Sequence, residues 1–313
     1  MTIGNSDQTI AIVVTYNRIE LLKECLAHLD GQEVPFSRII VVNNASTDGT
    51  EEYLDGIRDE KYCVLHCEEN IGGAGGFHLG MQEASKEDFG WVLLIDDDAM
   101  LDEHYTKLLL DHAKKFPDAP ALAGRVVTSG QIDLSHRRRV TNRLLFSETP
   151  VSKEEYQKED FFCDTATFCG LLISGDAVKR VGLPKKEYFI WCDDTEYCLR
   201  MVDEKHKIVV VPEAVLHHKT VISTDKGSLL MRIETKSYYG YRNRYDAARL
   251  HIGGLTPFVI RLEYRIFWLC SLLFCLSFNE EKRKQGRFNL KILSAILEDT
   301  KSGRLGQRQE FLL

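Results

Sequence analysis

No apolar run in the chain approaches the roughly 18 residues needed to cross a bilayer; the longest, Ile266 to Phe278, ends after 13. Met1 to Thr9 holds no apolar signal region. None of the nine cysteines forms a C-x-x-C pair, and Cys63/Cys67 and Cys163/Cys169 lack zinc spacing. All nine are therefore expected to be reduced, mostly buried thiols of a cytosolic protein. There is no internal repeat and no low-complexity tract, which excludes solenoid and disordered classes. A dinucleotide fingerprint is also missing: Asn70 to Gly80 is rich in glycine but does not fit G-x-G-x-x-G and sits in the wrong part of a βαβ unit.

What is present describes an ordinary globular chain of 313 residues, 44% apolar and 28% charged, long enough for one large domain or two small ones. Its net charge of −7 hides an asymmetry. From Asp225 to Leu313 there are 16 Lys and Arg against 9 Asp and Glu, a net of +7, which leaves −14 on residues 1–224. A basic segment on an acidic body suits an anionic partner such as a membrane surface. The 13-residue apolar run within it fits a buried or interfacial helix better than a spanning one.

The most informative stretch is Trp91-Val-Leu-Leu-Ile-Asp-Asp-Asp98. A short aliphatic run reads as a buried strand, and this one delivers three carboxylates at its C-terminal end, the edge where α/β sheets bind ligands. Three adjacent anions require an offsetting cation or water. Alternation along extended chain would put Asp96 and Asp98 on one side, a hard-oxygen site for Mg²⁺ or Mn²⁺ that would in turn hold a diphosphate. Further strands are expected at Ile10–Val14, Ile39–Val42 and Tyr62–His66, with helices at Glu20–Leu29 and Glu51–Ile57 between them. That alternation implies a parallel sheet covered by helices on both faces.

Asn70 to Gly80 reads as a glycine loop whose glycines 72, 73, 75, 76 and 80 let backbone approach a ligand, and amides at a following helix start would suit phosphate. Leu101 to Phe116 reads as a helix, and Ala121–Val127 and Phe168–Ile173 as strands. His136 to Asp160 reads as a charged surface loop. Tyr188 to Arg200 is an aromatic turn entering a helix that opens with acid. Val209–Val211 and Ala214–Leu216 read as two short strands before His217-His218-Lys219. The Tyr238–Tyr245 segment, dense in tyrosine and arginine, fits either diphosphate contact or an amphipathic helix packing its rings.

Together Ile12-Val-Val-Thr-Tyr-Asn-Arg18, Val41-Val-Asn-Asn-Ala-Ser-Thr-Asp-Gly-Thr50, Asp96-Asp-Asp98 and Trp191-Cys-Asp-Asp-Thr-Glu196 resemble family-2 inverting glycosyltransferases of the GT-A fold over roughly residues 8–250. The glycine stretch and the Trp-x-Asp-Asp sequence look most like the galactofuranosyltransferase branch, with rhamnosyltransferases close behind. The resemblance implies an α/β GT-A fold: a mixed, mostly parallel central sheet flanked by helices. Residues 1–224 would form the transferase domain, with a nucleotide-sugar half at about 1–98 and an acceptor half at about 99–224. Residues 225–313 would be a basic, apolar helical extension.

Carried over by motif, Thr15 and Tyr16 flank the nucleotide base, joined on the donor side by Asn17, Arg18, Asn70, Gly72, Gly73, Asp96 and Asp97. Asn44 reads the base edge. Asn43 stands where relatives commonly have Asp. Asp96, Asp98 and His218 match the metal ligands, with His217 as the alternate for His218. Asp194 matches the catalytic base, with Asp193 beside it, Glu196 as an acceptor contact and Trp191 as an acceptor platform.

The implied chemistry is coherent. A Mn²⁺ or Mg²⁺ ion stabilises the leaving diphosphate, and a carboxylate on the opposite face takes the acceptor's proton. The expected partners are a nucleoside-diphosphate sugar and a glycan or lipid-linked glycan, with an anionic membrane surface and no nucleic acid. The expected location is cytoplasmic, on the inner face of the cell membrane. A nucleotidyltransferase would want a glycine-rich loop directly after the first strand, which Thr15-Tyr-Asn-Arg18 lacks. A non-catalytic sugar- or lipid-binding module on the same scaffold is the rival from another class.

Overall fold

The computed structural model describes residues 8–220 and 233–312. The strands are β1 (Thr9–Thr15), β2 (Arg38–Asn43), β3 (Tyr62–His66), β4 (Trp91–Asp96), β5 (Ala99–Leu101), β6 (Ala121–Thr128), β7 (Gln131–Ile132), β8 (Arg137–Asn142), β9 (Ser147–Pro150), β10 (Phe161–Cys163), β11 (Thr165–Ala166), β12 (Leu171–Ser174) and β13 (Ile208–His218). The helices are α1 (Ile19–Asp30), α2 (Thr50–Asp55), α3 (Gly72–Ala84), α4 (Tyr105–Lys115), α5 (Gly175–Val181), α6 (Asp193–Met201), α7 (Thr235–Ala247), α8 (Thr256–Cys275) and α9 (Glu280–Ser302).

The central sheet runs β10-β13-β6-β12-β4-β1-β2-β3. Pairings β3-β2-β1-β4 and β6-β13 are parallel, whereas β12 and β10 are antiparallel to their neighbours. Six strands therefore point the same way, and Thr15, Asn43, Asp96, Thr128 and His218 end on one edge. The strands are apolar without alternation because both faces are covered. Ile10, Ile12 and Val14 pack with Phe77 and Met81 of α3. Ala11 and Val13 face Leu22, Cys25, Leu26 and Leu29 of α1 on the other side.

Four expectations change here. The glycine stretch is the helix α3 rather than a loop. Glycine in a helix interior costs about 1 kcal/mol against alanine, but a Cβ on Gly76 would lie 2.5 Å from Val14 and one on Gly80 2.4 Å from Ile12. Close packing on β1 is what selects glycine. Residues His136 to Asp160 are not a surface loop either, since β8 and β9 pair and β11 adds to β8. Arg137 is fully buried, donating from Nε to the Gly124 carbonyl and from Nη2 to that of Cys169. The two short strands expected before His217 are one strand, β13, with a register shift between Val211 and Val215. Residues 99–101 pair with β13 as β5, so the helix expected from Leu101 begins at Tyr105.

The expected boundary at residue 224 lies outside the described residues. Beyond it, α7, α8 and α9 build a third core with Phe146, Phe189 and Phe311. Tyr238, Tyr239 and Arg242 are buried in α7, so the amphipathic-helix reading holds and diphosphate contact by these side chains does not. Among the described residues no helix is long and apolar enough to cross a membrane. All nine cysteines are unpaired.

Candidate active site

The parallel strands deliver polar residues to their shared C-terminal edge. There Thr15 Oγ1 donates to Asp97 Oδ2 at 2.8 Å, and Arg18 Nη1 reaches both Asp97 (3.2 Å) and Asp98 (2.7 Å). The alternation expected of the three aspartates fails because β4 ends at Asp96 and the next two residues turn. One guanidinium thereby serves two carboxylates. The second cationic group comes from β13: its register against β5 sets His218 beside Ala99, and the Lys219 N–H donates to the Asp98 carbonyl. His218 Nε2 lies 3.1 Å from Asp98 Oδ1, while His217 points the opposite way to Asp102. Adjacent strand residues face opposite sides, which separates the two histidines.

The charges are unequal. Burial, reinforced by Asp98 and Asp97, pushes Asp96 up to about 7. Burial raises Asp97 to about 6 against the hydrogen bond from Thr15 and the charge of Arg18. Asp98 is buried too, yet His218 and Arg18 hold it below the usual carboxylate range. Burial opposes protonation of His218, but Asp98 and then Asp96 raise it on balance. Two buried atoms here, Asp98 Oδ1 and His218 Nδ1, have no hydrogen-bond partner. With His218 deprotonated, Asp98 Oδ1 and His218 Nε2, 3.1 Å apart, are an oxygen–nitrogen donor pair that a divalent cation could share. Asp96 does not join them in a compact cage. Among the described residues, the trio whose ligating atoms all lie within 4.8 Å of one another is His112, Glu159 and Asp160, on α4 and the approach to β10.

The cleft beside this edge, about 410 Å³, is lined by Thr15, Tyr16, Arg18, Asn44, Asn70, Gly72, Gly73, Asp96 and Asp97. Nine of the ten donor-side expectations thus meet in one cavity. Asn17 does not line it: at positive φ it accepts from the Thr47 N–H and its own N–H donates to Ser46 Oγ, tying the loop after β1 to that after β2. Asn44 is present but is corrected in role. It is 2% exposed, its amide donates to Asn70 Oδ1 and its oxygen accepts from the Ile71 N–H, so it shapes the wall rather than offering a free edge to a base. Val14, Phe189, Ile190 and Lys236 complete the lining; Phe189 and Ile190 belong to the aromatic turn read from the sequence, but neither they nor Lys236 were expected on the donor side.

A second cavity, about 640 Å³, is lined by Trp191, Asp194, Arg138, Glu148, Tyr241 and Arg244 among others. Its rim is an unusual turn. Phe189, Trp191 and Cys192 all have positive φ, a conformation that costs on the order of 1–3 kcal/mol per non-glycine residue. Asn243 of α7 holds the turn by donating to the carbonyls of Tyr188, Ile190 and Trp191, and Arg242 donates to that of Tyr188. Trp191 is left 46% exposed, and Asp194 sits in the first turn of α6 with its carboxylate accepting from the Thr195 N–H. Asp193, by contrast, is buried, and desolvation followed by the charge of Asp194 raises its carboxyl well above the usual range.

Glu196 is fully buried, with its oxygens taken by Arg200 and His251, so it does not face this cavity as an acceptor contact would. Arg138 and Glu148 escaped notice because their segment reads as loop. They stand 3.6 Å apart across β8 and β9. His136 was also missed; its ring packs edge-on at 5.3 Å from that of His218.

Residues 10–180 match the family described as Glycosyl transferase family 2. The chain belongs to that family. As a family-2 glycosyltransferase it is 27% identical over 250 residues to the galactofuranosyltransferase GlfT1 of Mycolicibacterium smegmatis, covering 77% of this chain and 82% of that protein. It is also 27% identical over 222 residues to GlfT2 of Mycobacterium tuberculosis, spanning 63% of this chain but 33% of that one. Its fold is GT-A. The chain superposes on GalNAc-T7, solved with UDP, GalNAc and Mn²⁺, with a TM-score of 0.63 at 13% identity, covering 96% of this chain and 58% of that one. Staphylococcus aureus TarS 1-349, solved with UDP-GlcNAc, gives 0.56 at 16% identity over 94% and 83%.

Proposed function

We propose that this family-2 transferase moves galactofuranose from a nucleoside diphosphate to a lipid-linked or polysaccharide acceptor, with inversion, during synthesis of a cell-surface polysaccharide. The observation that carries the reading is that one turn, Phe189 to Cys192, lines two cavities, an acidic cleft with Arg18 among its carboxylates on one side and a pocket with Trp191 and Asp194 on the other. Galactofuranose is favoured by the GlfT1 and GlfT2 relatives, and a nucleoside diphosphate by the UDP present in the two structural neighbours.

Asp98 and His218 would hold a Mn²⁺ or Mg²⁺ ion, which when bound supplies positive charge to the departing diphosphate. The chain's own residues do the remainder. Arg18, clamped by Asp97, keeps a cation at the donor side, and Trp191 presents an apolar face against which an acceptor sugar stacks. Asp194, lining the pocket beside Trp191, would take the acceptor hydroxyl proton as that oxygen bonds to the anomeric carbon and the bond to the diphosphate breaks. One displacement from the face opposite the leaving group inverts the centre.

The protein works on the cytoplasmic side, at the inner face of the cell membrane, where a lipid-linked acceptor would be met. Calorimetry with UDP-galactofuranose, dTDP-rhamnose and UDP-glucose in the presence of Mn²⁺ tests the donor. Selective binding of the first is expected, and preference for dTDP-rhamnose would move the assignment to a rhamnosyltransferase.

A further inference from the structure

The helix α8 has two apolar faces and covers only one of them. Ile260, Tyr264 and Ser271 are buried against the third core. Opposite them Leu255, Phe258, Leu262, Leu269, Leu273 and Leu276 are exposed, from 44% upward, and recur at intervals of three, four and seven. At about 100° per residue these positions share one narrow stripe, and from Phe258 to Leu276 it runs about 27 Å. A monomer in water does not ordinarily leave such a strip uncovered. The helix cannot span a bilayer, so the strip is suited to lying along a surface.

Charge says which surface. Arg265 on α8, and Lys282 and Arg287 on the following helix α9, are exposed and have no ion-pair partner among the described residues. They belong to a segment of net +7 attached to a body of −14. Exposed cations on α8 and on the helix packed against it complement an anionic lipid layer and would repel one another across a symmetric interface of two copies.

Position says what the docking is for. The start of α8 is bolted to the acceptor pocket: Glu263 pairs with Arg244 at 3.0 Å, and the Tyr264 hydroxyl donates to the Tyr241 carbonyl. Thr256 Oγ1 donates to the Arg143 carbonyl, which brings the exposed Leu144 and Leu145 of the β8–β9 turn to the N-terminal end of α8. Arg244 also donates to the Leu145 carbonyl. The N-terminal half of α8 is thus tied, through Tyr241 and Arg244, to the pocket lined by Trp191 and Asp194.

We infer that the outer face of α8, extended by Leu144 and Leu145, docks on an anionic lipid surface and presents the acceptor pocket to a lipid-linked sugar lying in it. This rests on the proposed transfer to such an acceptor and adds the surface that delivers it. The test is flotation of the full chain with vesicles of phosphatidylglycerol and phosphatidylcholine, beside vesicles of phosphatidylcholine alone. UDP binding with Mn²⁺ is measured on the same samples.

The wild type is expected to float with the anionic vesicles and to be released partly by salt. Leu269→Ser and Leu273→Ser should each weaken vesicle binding about tenfold while leaving UDP binding unchanged. Arg287→Glu should weaken it in the anionic vesicles alone. Absence of flotation, or equal flotation of the serine variants, overturns the inference. So does a dimer in sedimentation that the serine variants dissolve, since the strip would then lie between copies. Failure of every form to bind UDP while flotation follows the expected pattern would instead remove the transferase reading of the cleft and leave the docking surface standing.

Discussion

Gly72 and Phe189 are in direct contact. A Cβ on Gly72 would lie 2.1 Å from the Phe189 carbonyl oxygen, and the Ala74 N–H donates to that same oxygen at 3.1 Å. The contact joins the start of α3, in the acidic cleft, to the strained turn that carries Trp191. Gly72 also has a φ of +74°, which side chains disfavour. Gly72→Ala is therefore expected to cost about 1–3 kcal/mol in stability and to lower turnover by displacing the turn. Thermal unfolding and steady-state kinetics check this; unchanged turnover would show that the two cavities are not coupled here.

Gly240 of α7 makes a gentler version of the same contact. A Cβ there would lie 2.8 Å from Trp191 Cε3. The indole is half exposed and can swing outward, and alanine favours the helix by about 1 kcal/mol, so Gly240→Ala should fold normally. Loss of one stacked aromatic contact should raise KM for the acceptor about tenfold, with donor affinity unaltered.

The buried Asp193 predicts a dependence on pH. Its carboxyl is raised well above the ordinary 3.8, by burial and then by Asp194, so the folded state keeps a proton that the unfolded chain releases. Stability from this group is therefore full below about pH 4 and declines as pH climbs toward the folded value. Asp193→Asn, a neutral isostere, should match the wild type in melting temperature near pH 4 and exceed it near pH 7.5. A variant less stable at the higher pH would mean that the ionised carboxylate holds the turn.

Asp98 and His218 predict metal dependence. Excess EDTA should abolish turnover and weaken UDP binding, and Mn²⁺ should restore both. His218→Ala should weaken metal-supported UDP binding by about tenfold or more, whereas His217→Ala, facing Asp102, should leave it unchanged. Full activity in EDTA would remove the metal assignment.

The sheet could be read from the sequence because strands buried on both faces leave unbroken apolar runs, as at Ile10–Val14 and Ile39–Val42. Their shared edge could be read because Thr15, Asn43 and Asp96 each directly follow such a run. Reading failed where tertiary contact overrides local pattern. The glycines of α3 look like a loop until β1 is packed against them, and Arg137 looks solvated until the Gly124 and Cys169 carbonyls surround it. Glu196 follows the acidic pair by two residues, and only the arrival of Arg200 and His251 shows that it is an internal ion pair. The outward face of α8 was half visible as Ile266–Phe278. Its true extent to Leu255 depended on knowing which side of the helix the core covers.

The central claim is that Asp194 takes the acceptor proton, and one measurement addresses it most directly. Asparagine at that position keeps the shape and the hydrogen bond with Thr195 but cannot accept the proton. Asp194→Asn should lower kcat by about 10²–10⁴-fold, the usual contribution of a general base, while donor affinity by calorimetry stays within error of the wild type. Turnover by Asp194→Asn equal to the wild type would contradict the account.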